Sequence, residues 1–162
     1  MMTYIIKTAG KKGIGVFVKR NIKKGEVIYE KDYRGHGKIV KAKDIPKLSE
    51  KDQNHVDYIG RERYAVDYSP ISLINHSCRP NAYIYYVNFL LKKVIAMDDI
   101  KKMEEITVNY IIDTTGKWKM KCYCKHKNCL HIVSSDYFKL PKDLQEKYWK
   151  YVPRWKKRML RK

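Results

Sequence analysis

Short apolar runs, many with alternating polar positions, fill the first two thirds of the chain and are separated by Gly, Asn and Asp. Runs of this length that are rich in Val, Ile and Tyr are typical of β-strands, and the turn-forming residues mark the connections between them. The pattern predicts strands at residues 4–6, 15–18, 27–29, 64–66, 82–87, 91–96 and 106–111. We therefore expect a mostly β protein built of small sheets.

Two segments depart from this strand-rich pattern. Residues 41–58 are polar and contain a proline followed by a charged stretch, which favours a short exposed helix or an inserted loop. Near the C-terminus, Pro141 precedes Leu144, Tyr148 and Tyr151 at helical spacing. Because proline is favoured in the first helical turn and apolar residues at this spacing share one face, the segment predicts a packed amphipathic helix.

The length of 162 residues supports one ordinary hydrophobic core and is short for two. The composition is 44% hydrophobic and 12% aromatic, which is typical of a globular protein even though the mean hydropathy is −0.62. No run reaches the roughly 18 apolar residues of a membrane-spanning helix, and residues 1–7 lack the apolar stretch of a signal peptide. We expect one domain with small appendages, kept inside the cell.

The net charge is +19, from 36 Lys and Arg against 17 Asp and Glu, and residues 154–162 concentrate the basic excess. A surface of this charge attracts polyanions such as nucleic acid. The plainer interpretation is a solvated face that keeps the protein in solution. The concentrated C-terminal run is the argument for polyanion contact.

The cysteines suggest a metal site. Cys122, Cys124 and Cys129 form a C-x-C-x4-C array, and structural zinc normally takes a fourth ligand to close a tetrahedron. Reduced, unliganded thiols or a disulfide are the alternatives, and a disulfide is disfavoured in a chain without a signal peptide. The candidates for the fourth ligand are Cys78, far upstream, and the nearby His126 and His131.

Residues 75–81 read Asn-His-Ser-Cys-Arg-Pro-Asn and follow apolar Ile71, Leu73 and Ile74. Hydrogen-bonding and turn-forming residues after an apolar run suit a buried polar junction. Taken singly, His76 is more often a structural histidine than a catalytic one, and Asn75 a turn residue. Spacing alone leaves the role of this segment open.

These residues match the signature Asn-His-Ser-Cys-x-Pro-Asn of SET-domain methyltransferases. Residues 12–16 (Lys-Gly-Ile-Gly-Val) resemble the family's N-terminal Gly-x-Gly segment, and residues 64–67 (Tyr-Ala-Val-Asp) resemble its Tyr-x-x-Asp strand. Residues 104–110 (Glu-Glu-Ile-Thr-Val-Asn-Tyr) are similar to its Glu-Glu-Leu-Thr-x-Asp-Tyr element, and the cysteine array resembles its post-SET zinc loop. The resemblance implies a mostly β SET-domain fold with a knot-like Asn-His segment, here followed by a C-terminal helix.

The resemblance also implies a protein-lysine methyltransferase that uses S-adenosylmethionine and carries one structural zinc ion. Tyr110 takes the position of the catalytic tyrosine, although by itself it is one of 14 tyrosines. A lysine that enters an apolar channel beside a sulfonium has its pKa lowered by desolvation and like charge, so a dedicated base is not required. The implied cofactor contacts are Lys12, Gly13, Ile14, Gly15, Asn75 and His76, and the implied zinc ligands are Cys78, Cys122, Cys124 and Cys129.

The sequence departs from the family pattern at several positions. Ser72 and Leu73 stand where Arg-Phe is usual, Met103 replaces the usual glycine before Glu-Glu, and Asn109 replaces the usual Asp before the tyrosine. Val108 lies where many members carry the Phe or Tyr that helps set the number of methyl groups added. The product, mono-, di- or trimethyllysine, therefore stays open.

We expect a SET domain at residues 1–112, a post-SET zinc loop at 113–132, and a C-terminal helix with a basic tail at 133–162. The expected partner is a protein that presents lysine, such as a histone tail or another basic DNA-associated protein, with DNA bridging the two positive molecules. The expected location is the nucleus or chromatin in a eukaryote or virus, and the cytoplasm or nucleoid in a prokaryote. The alternatives are a zinc-stabilised nucleic-acid-binding module and a non-catalytic SET fold that binds proteins.

Overall fold

The structure is a computed structural model that describes residues 3–34 and 38–161. Its strands are β1 (Tyr4–Thr8), β2 (Ile14–Val18), β3 (Val27–Asp32), β4 (Lys38–Lys41), β5 (Val56–Tyr58), β6 (Arg63–Val66), β7 (Asn75–His76), β8 (Ala82–Tyr86), β9 (Leu91–Ala96), β10 (Thr107–Val108), β11 (Lys119–Lys121) and β12 (Ile132–Ser134). Its α-helices are α1 (Glu50–Gln53), α2 (Tyr110–Asp113), α3 (Lys142–Trp149) and α4 (Arg154–Leu160). Short 3-10 helices cover Gly10–Lys12, Ala42–Lys47, Pro70–Leu73 and Tyr137–Lys139.

The strands form small sheets. Antiparallel pairs join β1 to β2 and β11 to β12, and antiparallel three-stranded sheets have the orders β3-β9-β8 and β4-β6-β5. Strands β7 and β10 pair in parallel, with Asn75 opposite Thr107 and His76 opposite Val108. This parallel pair brings two distant chain segments together at the centre of the molecule.

The alternation of side chains along β9 shows how the sheet faces the core. Lys92, Val94 and Ala96 are buried, whereas the positions between them are only partly covered. Val94 and Ala96 belong to a hydrophobic cluster that also holds Val16 and Val18 of β2. Burial of apolar side chains on one face of each strand is what holds such small sheets together.

A second hydrophobic cluster joins the C-terminal third to the rest of the chain. Leu144 and Tyr148 of α3 pack in it together with Ile111 and Ile112 of α2 and the buried Cys78. The predicted amphipathic helix is present over Lys142–Trp149. Among the described residues, no helix is long and apolar enough to cross a membrane.

The structure corrects the predicted strand at residues 106–111. The strand β10 covers Thr107–Val108, and the chain then turns into α2 because the side chain of Asn109 accepts a hydrogen bond from the backbone N–H of Ile111 (3.0 Å). The segment at residues 41–58 contains both a short helix, α1, and a strand, β5.

The basic C-terminal run is also more ordered than its composition suggests. Residues Arg154–Leu160 form α4, and Lys156 is only 3% exposed. Lys162, the last residue of the predicted tail, lies outside the described residues. At least one cation of this run is therefore buried in the protein and is not available to a ligand at the surface.

Candidate active site and metal centre

His76 and Tyr110 meet where β7 and β10 run side by side. The imidazole Nδ1 of His76 accepts a hydrogen bond from the backbone N–H of Tyr110 (3.2 Å), and the two ring centroids are 5.5 Å apart. Burial lowers the pKa of His76 to about 4, with a smaller contribution from Lys12, so the ring is neutral at physiological pH. Because Nδ1 accepts, the ring proton lies on Nε2.

The hydroxyl group of Tyr110 is also held in place. Its hydroxyl donates to the backbone carbonyl of Ile74 at 2.7 Å. Burial raises the pKa of the phenol, and the carboxylates of Asp113 and Glu105 raise it further. The hydroxyl is therefore a protonated donor at neutral pH, held in one orientation.

The predicted cofactor loop lies between β1 and β2. The side-chain amide of Asn75 donates to the carbonyl of Ile14 (2.9 Å) and to Glu105 (2.9 Å), and Glu105 also pairs with Lys12. A Cβ at Gly15 would lie 2.8 Å from Glu105 Oε1 and 2.9 Å from Asn75 Nδ2, so a larger residue there would force these two side chains to shift. The predicted residues 12–15 and Asn75 are thus one hydrogen-bonded cluster.

Gly13 has a different requirement from Gly15. Its φ is +82°, a backbone conformation that favours glycine, and a Cβ there would have no atom within 4 Å. The backbone of this turn is therefore open to a ligand, as expected of a loop that a cofactor approaches closely. An open turn of this kind is compatible with the cofactor that the motifs imply, S-adenosylmethionine.

Four sulfur atoms lie together on the opposite side of His76. The thiols of Cys78, Cys122, Cys124 and Cys129 are all within 4.8 Å of one another, and Cys78 and Cys122 are 3.7 Å apart. Tetrahedral zinc–thiolate bonds of about 2.3 Å place neighbouring sulfurs about 3.8 Å apart. Among the described residues, neither His126 nor His131 belongs to this group. The donor set fits a closed structural zinc site with Cys78 as the fourth ligand.

Hydrogen bonds to sulfur support this arrangement. The backbone N–H of Leu130 donates to Cys78 (3.5 Å), and that of His131 donates to Cys129 (3.3 Å). The imidazole Nε2 of His76 lies 3.6 Å from the sulfur of Cys78 and carries the proton that this contact needs. His76 therefore connects the thiol cluster to the backbone of Tyr110.

A cavity of about 440 Å³ opens beside Tyr110. Its apolar wall includes Ile74, Val108 and Trp118, and the ring of Trp118 packs edge-on against that of Tyr110, with centroids 6.5 Å apart. The carboxyl-bearing residues in its lining are Asp57, Asp67 and Asp113. An apolar cavity with a few polar groups is typical of a ligand site.

The sequence of the chain matches the SET domain family over residues 13–111, which is more than half of its length. The chain belongs to the SET-domain family. The mostly β SET-domain fold predicted from the motifs is confirmed, since solved SET methyltransferase domains share it. The methyltransferase domain of human histone-lysine N-methyltransferase SETMAR aligns with a TM-score of 0.62 at 21% identity, covering 81% of this chain and 57% of that one.

Several curated relatives are histone methyltransferases by name. A histone-lysine N-methyltransferase, H3 lysine-36 specific, from Saccharomyces cerevisiae is 33% identical over 131 residues, which is 74% of this chain and 17% of the yeast protein. A Plasmodium falciparum variant-silencing SET domain-containing protein is 31% identical over 138 residues, or 78% of this chain and 5% of that protein. The chain thus spans less than a fifth of either relative.

The structure shows the surroundings of three residues that depart from the SET-domain pattern. Met103 adopts φ +70°, the conformation for which the family's usual glycine is suited. Asn109 caps α2 through its Oδ1, a role that an aspartate fills equally well. Ser72 Oγ donates to the carbonyl of Ser69 and contacts the ring of His55 at 3.2 Å, so it completes a local polar network.

Sequence reasoning missed three charged residues at this SET-domain site. Glu105 joins Lys12 to Asn75, and Asp113 lines the cavity. The third, Lys156 of α4, donates to backbone carbonyls at the end of α2. Asp113 follows Tyr110 by three residues on a helix, which was a usable signal, whereas nothing in the basic C-terminal run distinguished Lys156 from its neighbours.

Proposed function

We propose that this SET domain transfers a methyl group from S-adenosylmethionine to the lysine amine of a protein substrate. One observation carries the proposal: Tyr110 lines a cavity with its hydroxyl fixed on the carbonyl of Ile74, and its backbone N–H is hydrogen-bonded to His76, the neighbour of Asn75. The histone-lysine methyltransferases among its relatives support the same reaction.

The residues of this chain contribute mainly by positioning. The backbone of residues 12–15, with Asn75 and His76, would hold the cofactor, which supplies an electrophilic methyl group on a sulfonium when bound. Tyr110 presents a protonated hydroxyl whose oxygen can accept a hydrogen bond from the approaching amine. The apolar wall of the cavity excludes water from the lysine side chain.

Zinc, held by Cys78, Cys122, Cys124 and Cys129, has a structural role in this proposal. It would join the loop at residues 113–132 to the SET domain at residues 1–112. In the C-terminal segment 133–162, Leu144 and Tyr148 pack in the same cluster as Cys78. The hydroxyl of Tyr148 donates to the carbonyl of Cys78 (3.1 Å), so α3 supports the same junction.

The proposed substrate is a histone tail or another basic protein associated with DNA, and the proposed location is chromatin. A chain with net charge +19 repels a basic tail, and DNA bound to both would offset the repulsion. If DNA bridges the two proteins, added DNA raises the methylation rate at low salt and the gain disappears as salt increases. A methylation rate that changes with neither added DNA nor salt would rule out bridging by DNA.

The decisive experiment measures transfer of labelled methyl from S-adenosylmethionine to histones and basic DNA-binding proteins by zinc-loaded enzyme. We expect Tyr110→Phe to lower kcat by roughly a hundredfold, the scale of one lost catalytic hydrogen bond. The matched control is Tyr85→Phe, because Tyr85 is half-exposed and does not line the cavity beside Tyr110.

Calorimetric titration of the cofactor separates the outcomes. Label on lysine that is lost only in Tyr110→Phe supports the proposal. Absence of both transfer and cofactor binding would contradict it and would favour a zinc-stabilised binding module.

A further inference from the structure

Carboxylates are scarce in this chain, yet three of them line the cavity beside Tyr110. The chain carries 17 acidic residues against 36 basic ones, so most of its surface repels a cation. The cavity lining nevertheless includes Asp57, Asp67 and Asp113. The same lining includes Lys119, so the attraction of this cavity for a cation depends on which of the three carboxylates lack a partner within the protein.

Two of these carboxylates already have partners. Asp67 accepts from the hydroxyl and backbone N–H of Ser69 and pairs with Lys31 at 3.3 Å. Asp57 accepts from Lys92 at 2.6 Å. Their charges are largely compensated within the protein.

Asp113 differs from the other two. It is 8% exposed, and its Oδ1 has no hydrogen-bond partner among the described residues. The nearest buried cation, Lys156, donates instead to the carbonyls of Ile111 (2.5 Å) and Thr114 (2.6 Å). A buried carboxyl oxygen without a donor is energetically costly unless a ligand supplies one.

We propose that Asp113 receives the ammonium group of the target lysine and takes one of its protons, leaving a neutral amine beside Tyr110. This inference rests on the proposed function, in which a lysine side chain enters the cavity. It names the chemical group that the cavity recognises and a second residue that touches the substrate. Deprotonation of the lysine ammonium group does not strictly require a protein base, because water can accept the proton. The carboxylate of Asp113 supplies a proton acceptor within the cavity.

The step balances in atoms and charge. One N–H bond of the ammonium breaks, an O–H bond forms on the carboxylate of Asp113, and the electron pair stays on nitrogen. That pair then forms the bond to the methyl carbon as the carbon–sulfur bond breaks and the sulfonium becomes a neutral thioether. The protonated carboxyl returns its proton to water when the methylated lysine leaves.

The placement of Asp113 on α2 supports this role. It follows Tyr110 by three residues, and side chains at that separation lie on the same side of a helix. The hydroxyl of Thr114 donates to the carbonyl of Tyr110 (2.7 Å), which steadies the helix end. A lysine side chain that enters the cavity therefore enters a space that both Tyr110 and Asp113 line.

The electrostatic surroundings are those of a proton acceptor. Burial and, to a smaller extent, the charge of Asp57 raise the pKa of Asp113 to about 7, against the opposing effect of Lys156 and Lys92. The buried phenols of Tyr86 and Tyr110 also interact with Asp113, and the pKa of each is raised, so both stay protonated at neutral pH. His55 and Lys119 line the same cavity. The carboxylate is thus populated above pH 7 and is ready to bind a proton or a cation.

The test compares wild type with Asp113→Asn, which keeps the shape and removes the charge. Asp143→Asn is the control, since Asp143 is exposed on α3. Two peptides of a basic histone tail are used, one with lysine and one with uncharged norleucine at the target position. Calorimetry measures their binding and that of the cofactor, and a urea titration checks that each variant is folded.

We expect Asp113→Asn to reduce the preference for lysine over norleucine by about tenfold, which corresponds to about one pKa unit of charge interaction. Its kcat/KM falls by about a hundredfold, the lower range for loss of an acid–base group. The wild-type kcat/KM decreases as the pH falls through 7, because the acceptor is protonated there, and the variant lacks this dependence. Cofactor affinity and the control variant stay unchanged.

Binding and transfer distinguish the two proposals. If wild type transfers no methyl group but prefers the lysine peptide, and the substitution removes that preference, the ammonium site stands and the proposed function fails. If wild type methylates the peptide while Asp113→Asn retains its kcat/KM, pH profile and lysine preference, the inference is overturned. Equal binding of both peptides to wild type would also overturn it.

Discussion

Replacing Lys156 by methionine tests how α4 supports the candidate active site. Lys156 is 3% exposed, and its ammonium group donates to the carbonyls of Ile111 and Thr114 at 2.5 and 2.6 Å, with a longer contact to Ser135 at 3.4 Å. These carbonyls lie at the end of α2, where a helix leaves its last acceptors without partners. Methionine keeps the apolar stem and removes the donor.

The expected loss of stability follows from these contacts. Hydrogen bonds from a charged donor contribute roughly 1.5–3 kcal/mol each, and the two short ones sum to about 3–6 kcal/mol. Part of this gain is offset because the ammonium loses its hydration, and that burial lowers the pKa of Lys156 to about 8. We expect Lys156→Met to reduce the free energy of unfolding by about 2–4 kcal/mol.

Urea unfolding of the zinc-loaded protein at pH 7, followed by tryptophan fluorescence and far-UV circular dichroism, measures the change. Arg158→Met is the matched control, because Arg158 is exposed on the same helix and its replacement should change stability by less than about 0.5 kcal/mol. Methyl transfer should fall as well, since α2 carries Tyr110 and Asp113. Equal stability of the two variants would refute the capping role of Lys156.

Further substitutions test individual features of the site. Gly15→Ala should weaken cofactor binding at least tenfold in calorimetry, because its Cβ would displace Glu105, whereas Gly13→Ala should mainly cost about 1–2 kcal/mol of stability through its positive φ. Met103→Gly should stabilise the protein by up to about 1 kcal/mol in urea unfolding by relieving the same strain. Atomic absorption should find one zinc per chain, and Cys78→Ser or a chelator should remove it and lower the midpoint of thermal unfolding. A wild type without zinc would contradict the zinc prediction. A glycine or Met103 variant with unchanged cofactor binding and stability would contradict the prediction for that variant.

The candidate zinc ligands show where sequence reasoning stops. The local spacing of Cys122, Cys124 and Cys129 identifies three ligands of one array. The fourth was undecided between Cys78 and two nearby histidines, because ligand distances across a fold are not encoded in local spacing. Packing of the loop against the segment around Cys78 brings those four sulfurs together.

In the secondary structure too, some elements follow from local sequence and others only from tertiary contacts. Longer strands such as β2, β8 and β9 were predicted because side-chain alternation is a local property of the chain. The two-residue strand β7 has too few positions to show a pattern, whereas β10 lies within a longer predicted strand. Both exist through pairing with each other. The strand predicted through residue 111 failed because the capping side chain of Asn109 starts a helix within an apolar run.

The sequence by itself determined the family, the strand-rich fold and the candidate residues, because motifs and alternating burial are written in short stretches of chain. Only the tertiary structure decided that Lys156 is an interior residue and that Asp113, which lines the cavity beside Tyr110, has an oxygen without a hydrogen-bond partner in the described part of the chain. Burial and electrostatic environment depend on which distant segments pack around a side chain. Lys156 reaches carbonyls 42 and 45 positions away, and no local pattern reports such a contact.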